Sequence, residues 1–545
     1  MLAADRTRAR LVAWLCRSPL YGLTLLGGTP TGLTLALPIR WPGDAARGGQ
    51  IVAGTYPLGG EILAEPEPLG DPAGPSEAWL VEFHGFAWLA DLVAVGSAAA
   101  REAGRAAIAA WLPVNRDCRN LAWRADVIGA RLAAWITHFD AFFARAEESD
   151  PLRDAVLQSL ARQARHLARV AALEATGAAR LQALKGLVVA SLALGRGERR
   201  LDRALAALAR EVTAQILPDG GHVVRSPLVQ LTALRDLVDI RTALRAAHVE
   251  VPEALQLAID RAAPMLRMLR HGDGRLAQFN DGAEAYGPLA DLVLTRAEVR
   301  GRPLASAPHS GFQRLQAGKT VVLADTGAPP LGGLDAHTHA GTLSFEMSYG
   351  RERLVVNCGA WRGASDAWRR AARNTAAHST LIVADTNSSE IGDDLRLRRR
   401  AAVSQVERAE DEGSQWVTAS HDGYAERFGL VHTRQLFLSA DGDDLRGEDA
   451  LAGPAGADFA IRFHLHPMVQ ASLSQDGGAA LPRLTGGSGF RLRAQGAQMS
   501  LAESVYLGAG EVKKTQQVVL SGHVGTQGAT VNWAIRREGR KAPET

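Results

Sequence analysis

The spacing of apolar residues changes once along these 545 residues, and that change dictates a fold in two parts. From about residue 84 to 270 they recur at helical intervals. Leu201, Leu205, Leu208, Val212 and Ile216 line one face of a helix, and Leu152, Val156, Leu160, Ala164 and Leu167 line another. Pro113, Pro151, Pro218 and Pro227 punctuate the series near helix starts or ends. Beyond about residue 310 the period drops to two. Leu343, Phe345 and Met347 alternate with Ser344, Glu346 and Ser348, which predicts a strand with one buried face. Tyr349-Gly350-Arg351-Glu352 reads as a hairpin turn into Leu354-Val355-Val356, and Phe459–Leu465 and Val531–Ile535 repeat the alternation. Many short strands with Gly- and Asp-rich turns predict an antiparallel sandwich.

Length supports the division, because a single hydrophobic core stops growing at roughly 250–300 residues. The sequence predicts an α+β multidomain protein: a helical domain over 1–305, with an irregular extension to about residue 80, and a β-sandwich over 306–545. Its boundary lies near Pro303–Pro308. With 46% hydrophobic and 22% charged residues, the chain has the makings of ordinary globular cores. A net charge of +3 gives no global field to draw in nucleic acid, so no nucleic-acid partner is expected. Cys16, Cys118 and Cys358 are too sparse for a disulfide framework or a paired-cysteine zinc site. No stretch reaches the roughly 20 apolar residues of a membrane span. The run Leu11–Cys16 is short for a signal-peptide core, which reads as cytoplasmic.

The sharpest local feature is Asp335-Ala336-His337-Thr338-His339-Ala340-Gly341. In an extended segment His337 and His339 project from one face and can share a metal ion or divide ligand and proton-carrier roles. His378 follows in Arg373-Asn374-Thr375-Ala376-Ala377-His378, and Asn357 ends the intervening strand. Arg362, Arg369, Arg370 and Arg373 form either a solvated charge run or an anion-binding rim. His464 and His466 read as structural, and Tyr424, in His421-Asp422-Gly423-Tyr424, as a turn residue able to donate a proton. In the helical half, His222 and Arg225 sit on the loop Pro218–Pro227, as cap residues or facing a cleft. Glu346, Asp335 and Asp281 are candidate carboxylates for a hydrolase, but their spacing specifies no pair.

In this order the residues resemble the heparinase II/III family of polysaccharide lyases. Residues 335–361 look like its histidine-bearing strand pair, and Arg373–Thr380 like its downstream Arg/His segment. Asp219–Pro227 and Trp123–Trp135, with Arg131 between, are similar to helical-domain segments. The resemblance implies an incomplete α/α toroid followed by an antiparallel β-sandwich, with an acidic polysaccharide bound between them and cut by β-elimination. In that reaction one group offsets the uronate carboxylate, a base takes the C5 proton and an acid protonates the leaving oxygen. By this resemblance His337 belongs to the reaction centre. The retained His/Arg cluster suits a lyase with a rearranged site, in which His337 acts in proton transfer, Arg225 or Arg373 offsets the carboxylate and Tyr424 or His222 is the other proton carrier. His339, Asn357 and His378 correspond to a site that often binds structural zinc.

The chain also departs from the family pattern. Asn357 stands where the family has Asp, which weakens a zinc site. Val229 stands where a tyrosine is usual, and Ala178 and Ala179 where an Asn-His pair is usual. The alternative is therefore a non-catalytic or differently acting glycan-binding protein of the same fold. By family resemblance its place is the periplasm or cell envelope, against the cytoplasmic reading of the N-terminus. Oligomeric state has no sequence signature here.

Overall fold

The computed structural model describes residues 14, 16, 18, 20–38, 41–64, 74–116, 120–144, 150–171, 177–195, 197–363 and 365–539. Cys118 and most of the run 11–15 lie outside these residues; Cys16 and Cys358 are free thiols. The chain packs as two compact units. The first comprises Met1–Gln215, Arg235–Ile259 and Arg362–Ala364, and the second Ile216–Leu234, Asp260–Trp361 and Ser365–Thr545.

The principal helices are α1 (Ala98–Val114), α2 (Ala125–Thr137), α3 (Pro151–Val170), α4 (Ala178–Ala193), α5 (Glu198–Gln215), α6 (Pro227–Ala246) and α7 (Glu253–Met268). Local chemistry sets their ends. Asp150 caps α3 by accepting from the backbone N–H groups of Leu152 and Arg153, with Pro151 in the first turn. In the first unit α2 and α4 meet at a glycine pair. A Cβ on Gly186 would lie 2.4 Å from the Cα of Gly129, so neither position tolerates a side chain without the helices moving apart. Arg131 on α2 is buried and neutral in its partners: it donates to Gln163 Oε1, His84 O and Ala122 O, and lies over the Trp111 ring at 4.3 Å. Lys185 on α4 donates to Asp236 (2.8 Å) and Asp239 (2.6 Å) on α6. Among the described residues no single helix is long and apolar enough to cross a membrane.

The second unit holds two large antiparallel sheets and a small one in which Glu390–Ile391 pairs with Leu397–Arg399. The longer strands are β1 (Phe312–Ala317), β2 (Thr320–Asp325), β3 (Phe345–Tyr349), β4 (Glu352–Val356), β5 (Leu381–Val383), β6 (Val403–Asp411), β7 (Ser414–Tyr424), β8 (Leu430–Leu438), β9 (Asp444–Ala452), β10 (Asp458–Leu465), β11 (Phe490–Gln495), β12 (Gln498–Tyr506), β13 (Lys513–His523) and β14 (Ala529–Arg537). One large sheet runs β12-β13-β10-β4-β3-β2-β1 with β5 beside β10, and the other β6-β7-β8-β9-β14-β11; a two-residue strand extends one edge of each, Ser306–Ala307 beside β1 and Ala479–Ala480 beside β11. The predicted hairpin pairs Tyr349 with Glu352. Phe345, Phe463 and Trp533 fill the core between the sheets, with Phe345 and Trp533 stacked at 5.4 Å.

Strand β3 corrects one expectation. Its polar face is buried as well as its apolar face. On that side Glu346 accepts from His271 Nε2 (2.8 Å), from the backbone N–H of Gln278 (3.1 Å) and from that of Asn357 (2.9 Å). A carboxylate given this many donors is stable in the interior, so the alternating pattern does not mark solvent.

A second buried polar group joins the sheets. Arg434 on β8 donates to both oxygens of Asp449 (2.8 and 3.0 Å) and also to the carbonyls of Leu343 (2.8 Å) and Ser379 (2.9 Å). Asp449 further accepts from Trp533 Nε1 and His432 Nε2. Burial alone would raise the Asp449 carboxyl, but the Arg434 charge outweighs it and holds the group far below the usual carboxylate range.

Candidate functional site

Residues 335–341 form a turned loop, not an extended strand, and this separates the two histidines. The Thr338 N–H donates to the Asp335 carbonyl at 3.2 Å, closing a turn. Arg373, on the helix Asp366–Arg373, then pins the loop from inside, donating to Thr338 O (2.7 Å) and Asp335 O (3.1 Å). As a result His339 is buried while the His337 side chain is 53% exposed. His337 Nδ1 lies 3.3 Å from Asp281 Oδ2.

The Asp335 side chain anchors the same loop. It accepts from Gly333 N, Leu397 N and Arg400 Nη2. Burial works to raise its carboxyl, but the Leu397 and Gly333 N–H groups and the Arg400 charge together hold it below the ordinary range. Asn280, in left-handed backbone at φ 49°, ties neighbouring segments together. Its amide donates to Arg225 O (2.7 Å), and its carbonyl accepts from His339 N (3.0 Å).

The buried histidines have a defined proton arrangement. A backbone carbonyl only accepts, so His378 Nδ1, 2.8 Å from Asn374 O, carries the proton. Burial lowers the His378 pKa to about 4, so at neutral pH its Nε2 is a bare acceptor. That nitrogen lies 3.1 Å from His339 Nδ1, which is therefore the donor. Gly341 makes the approach feasible: a Cβ there would stand 2.6 Å from His378 Cδ2.

This donor set does not fit the structural zinc expected at His339, Asn357 and His378. The His378 lone pair that would face a metal is occupied by His339. The Asn357 carbonyl accepts from Ser379 N (2.9 Å), and its amide donates to Glu346 (3.2 Å). Among the described residues no group of three or more His, Cys, Asp or Glu is placed to hold a metal. The site is braced by hydrogen bonds in which a neutral amide suits the Glu346 carboxylate beside it.

Four residues expected to act on substrate are engaged internally. Tyr424 is fully buried and donates to Leu381 O (2.9 Å); burial pushes its hydroxyl up, away from a proton-carrier role. His222 is buried, accepts from Val224 N at Nδ1 (3.1 Å), and is lowered to about 4 by burial. Arg225 donates to Ser310 O (2.6 Å), Ala328 O (3.0 Å) and the Asp325 carboxylate. Arg373 is the loop pin described above. Guanidiniums committed to carbonyls and a buried carboxylate are not available to a uronate carboxylate. Arg369 and Arg370 make exposed ion pairs with Asp366 and Asp393. Val229 is a buried residue in the first turn of α6, and Ala178 and Ala179 open α4.

The carboxylates considered for hydrolysis are likewise spoken for. Glu346 and Asp335 are buried and saturated with donors, which leaves Asp281 with His337. Asn280 and His271 went unnoticed in the sequence. The turn-forming Asn280-Asp281-Gly282 following Leu276-Ala277-Gln278-Phe279 is the signal that points to the loop.

Comparison with known proteins agrees with this architecture. Residues 105–288 match the family described as heparinase II/III N-terminus, and residues 299–534 match heparinase II/III-like, C-terminal. The chain is 35% identical over 534 residues to FtsZ-localized protein C of Caulobacter vibrioides, spanning 93% of this chain and 91% of that protein. Among solved structures, heparinase III superposes with a TM-score of 0.72 at 14% identity, covering 97% of this chain and 89% of the other. A mutant of the heparan sulfate lyase HepC from Pedobacter heparinus gives 0.65 at 15%, covering 99% and 90%. These structures share the fold, an incomplete α/α toroid followed by an antiparallel β-sandwich.

Proposed function

Because the chain belongs to the heparinase II/III family, we propose that it is a polysaccharide lyase-like protein acting on an acidic, uronate-containing glycan, with His337 as its proton carrier. The observation that carries this reading is the contact of half-exposed His337 with Asp281, beside histidines that are buried and hydrogen-bonded. Elimination requires a group that moves a proton at C5 or at the leaving oxygen, and an accessible imidazole oriented by a carboxylate is suited to that step. Asp281 orients the ring, and Arg373 and Asp335 fix the loop that carries it. The test is incubation of the purified protein with heparan-type, alginate and bacterial uronate polysaccharides. Ultraviolet absorbance of the unsaturated product should rise on one of them and be lost in His337→Ala. Product formation unchanged in that variant would overturn the assignment.

A second reading is favoured by a specific observation. Identity is 35% to FtsZ-localized protein C but only 14–15% to the lyases, and Arg225, Arg373, Tyr424 and His222 are all engaged within the protein. In this reading the chain keeps the fold, binds an acidic glycan without cutting it, and localises with FtsZ. Calorimetric glycan binding with no absorbance change, together with a fluorescent fusion that follows FtsZ, would support it; an unsaturated product would exclude it.

A further inference from the structure

The first unit contains a groove of about 920 Å³ between α3 and α5, floored by α4. Leu184 and Leu187, with alanines of the flanking helices, make the floor apolar. Its walls carry Arg165, Arg169, Arg199, Arg200, Arg203 and Arg210, against Glu198 as the one acidic lining residue among the described residues.

These arginines divide into two sets. Arg165 and Arg169 donate to the backbone carbonyls of Leu25 and Thr24, and Arg200 donates to Ser191 Oγ. Their partners are neutral, so their charge is not cancelled. Burial, and to a lesser degree the neighbouring Arg165 charge, hold the Arg200 guanidinium below its ordinary pKa. Arg199, Arg203 and Arg210 are exposed and have no hydrogen-bond or ion-pair partner among the described residues. Intervals of four and seven place them along one face of α5, over a length of roughly 16 Å.

We propose that this groove docks an acidic, amphipathic peptide segment of a partner protein. The Arg199, Arg203 and Arg210 forks take its carboxylates, and its apolar side chains rest on Ala168 and Ala207, above the buried Leu184 and Leu187. Charge complementarity selects an acidic occupant, since guanidinium pairs with carboxylate in two-point geometry. The leucine and alanine floor selects a peptide over a glycan, whose hydroxyls would find no polar partners there. Concavity selects a segment over the broad surface of a bilayer. The proposal is independent of the chemistry assigned to His337.

The test uses the full chain and a fluorescent 12-residue peptide of Glu and Leu at helical spacing, read by anisotropy at two salt concentrations. Comparison ligands are oligoglutamate of equal charge, a heparan-type oligosaccharide, and phosphatidylglycerol–phosphatidylcholine vesicles. The expected result is saturable peptide binding, weakened at least tenfold by the combined R199E, R203E and R210E changes and by added salt. Oligoglutamate should bind at least tenfold more weakly than the peptide. Ala207→Asp, which places a carboxylate in the floor, should weaken binding without removing an arginine. Unchanged melting temperatures in these variants show that folding is intact. Absence of peptide binding, equal binding of oligoglutamate, or groove-dependent binding of the oligosaccharide or vesicles in place of the peptide would each overturn the proposal.

Discussion

His337 Nδ1 lies 3.3 Å from Asp281 Oδ2, so a carboxylate before the sandwich strands orients the exposed imidazole of the 335–341 loop. General acid–base groups contribute typically 10²–10⁴-fold to rate. His337→Ala should therefore abolish measurable elimination. Asp281→Asn, which keeps the shape and removes the charge, should slow it by about 10²-fold while leaving glycan binding intact. Initial rates of ultraviolet absorbance and calorimetric binding on the same preparations separate the two effects.

Arg373 acts as a positioning residue. Arg373→Met should cost about 3 kcal/mol, because two charge-assisted hydrogen bonds to buried carbonyls are lost. Hydrogen exchange should rise in residues 335–340, and Arg373→Lys should restore little, since one ammonium does not reproduce the fork. If Arg373 contacted substrate instead, KM would rise with exchange and denaturant midpoint unmoved.

Buried neutral histidines make the fold sensitive to mild acid. His222 and His378 are lowered to about 4, and His84 and His464 to about 3, in each case chiefly by burial. Between these values and the unfolded pKa of about 6.5 the unfolded chain binds more protons, so stability falls as pH falls through that window. For His378 the full effect is about 3 kcal/mol. Denaturant midpoints at pH 8, 6.5 and 5 should decline from about pH 6.5, above the carboxylate range, and His378→Gln should flatten part of the decline.

The Arg434–Asp449 pair should show strong coupling. Arg434→Met strands a buried carboxylate and should cost about 3–5 kcal/mol, whereas Trp533→Phe removes one hydrogen bond and part of a buried ring and should cost nearer 2 kcal/mol. A double-mutant cycle between Arg434 and Asp449 in denaturant unfolding measures the coupling.

Zinc and chelator should leave the melting temperature of the natural chain unmoved. Asn357→Asp should lower it at neutral pH, because the new carboxylate would replace a group now 3.2 Å from Glu346 and donating to it. Calorimetric scans with and without zinc test both statements.

Helix and strand texture was legible because apolar period reports burial directly, as α3, α5, β10 and β14 illustrate. The site was legible only in composition. Whether His337 and His339 share a face depends on Arg373, 35 residues from Thr338, whose side chain turns the loop. Glu346 looked solvent-facing because its partner His271 lies 75 residues upstream, outside any local pattern. Tyr424 and Arg225 carried the right functional groups, yet orientation and burial are set by contacts that local spacing does not encode.

The Arg434 stitch also imposes an order on synthesis. Leu343 precedes Arg434 by 91 residues, and Asp449 precedes Trp533 by 84. At about 5–20 residues per second, the Leu343 carbonyl emerges roughly 5–20 s before its donor exists, and the donor waits for Trp533 in turn. The first strands of the sandwich must therefore spend that interval on the ribosome with an unfinished core, the stage at which a chaperone has the most to protect.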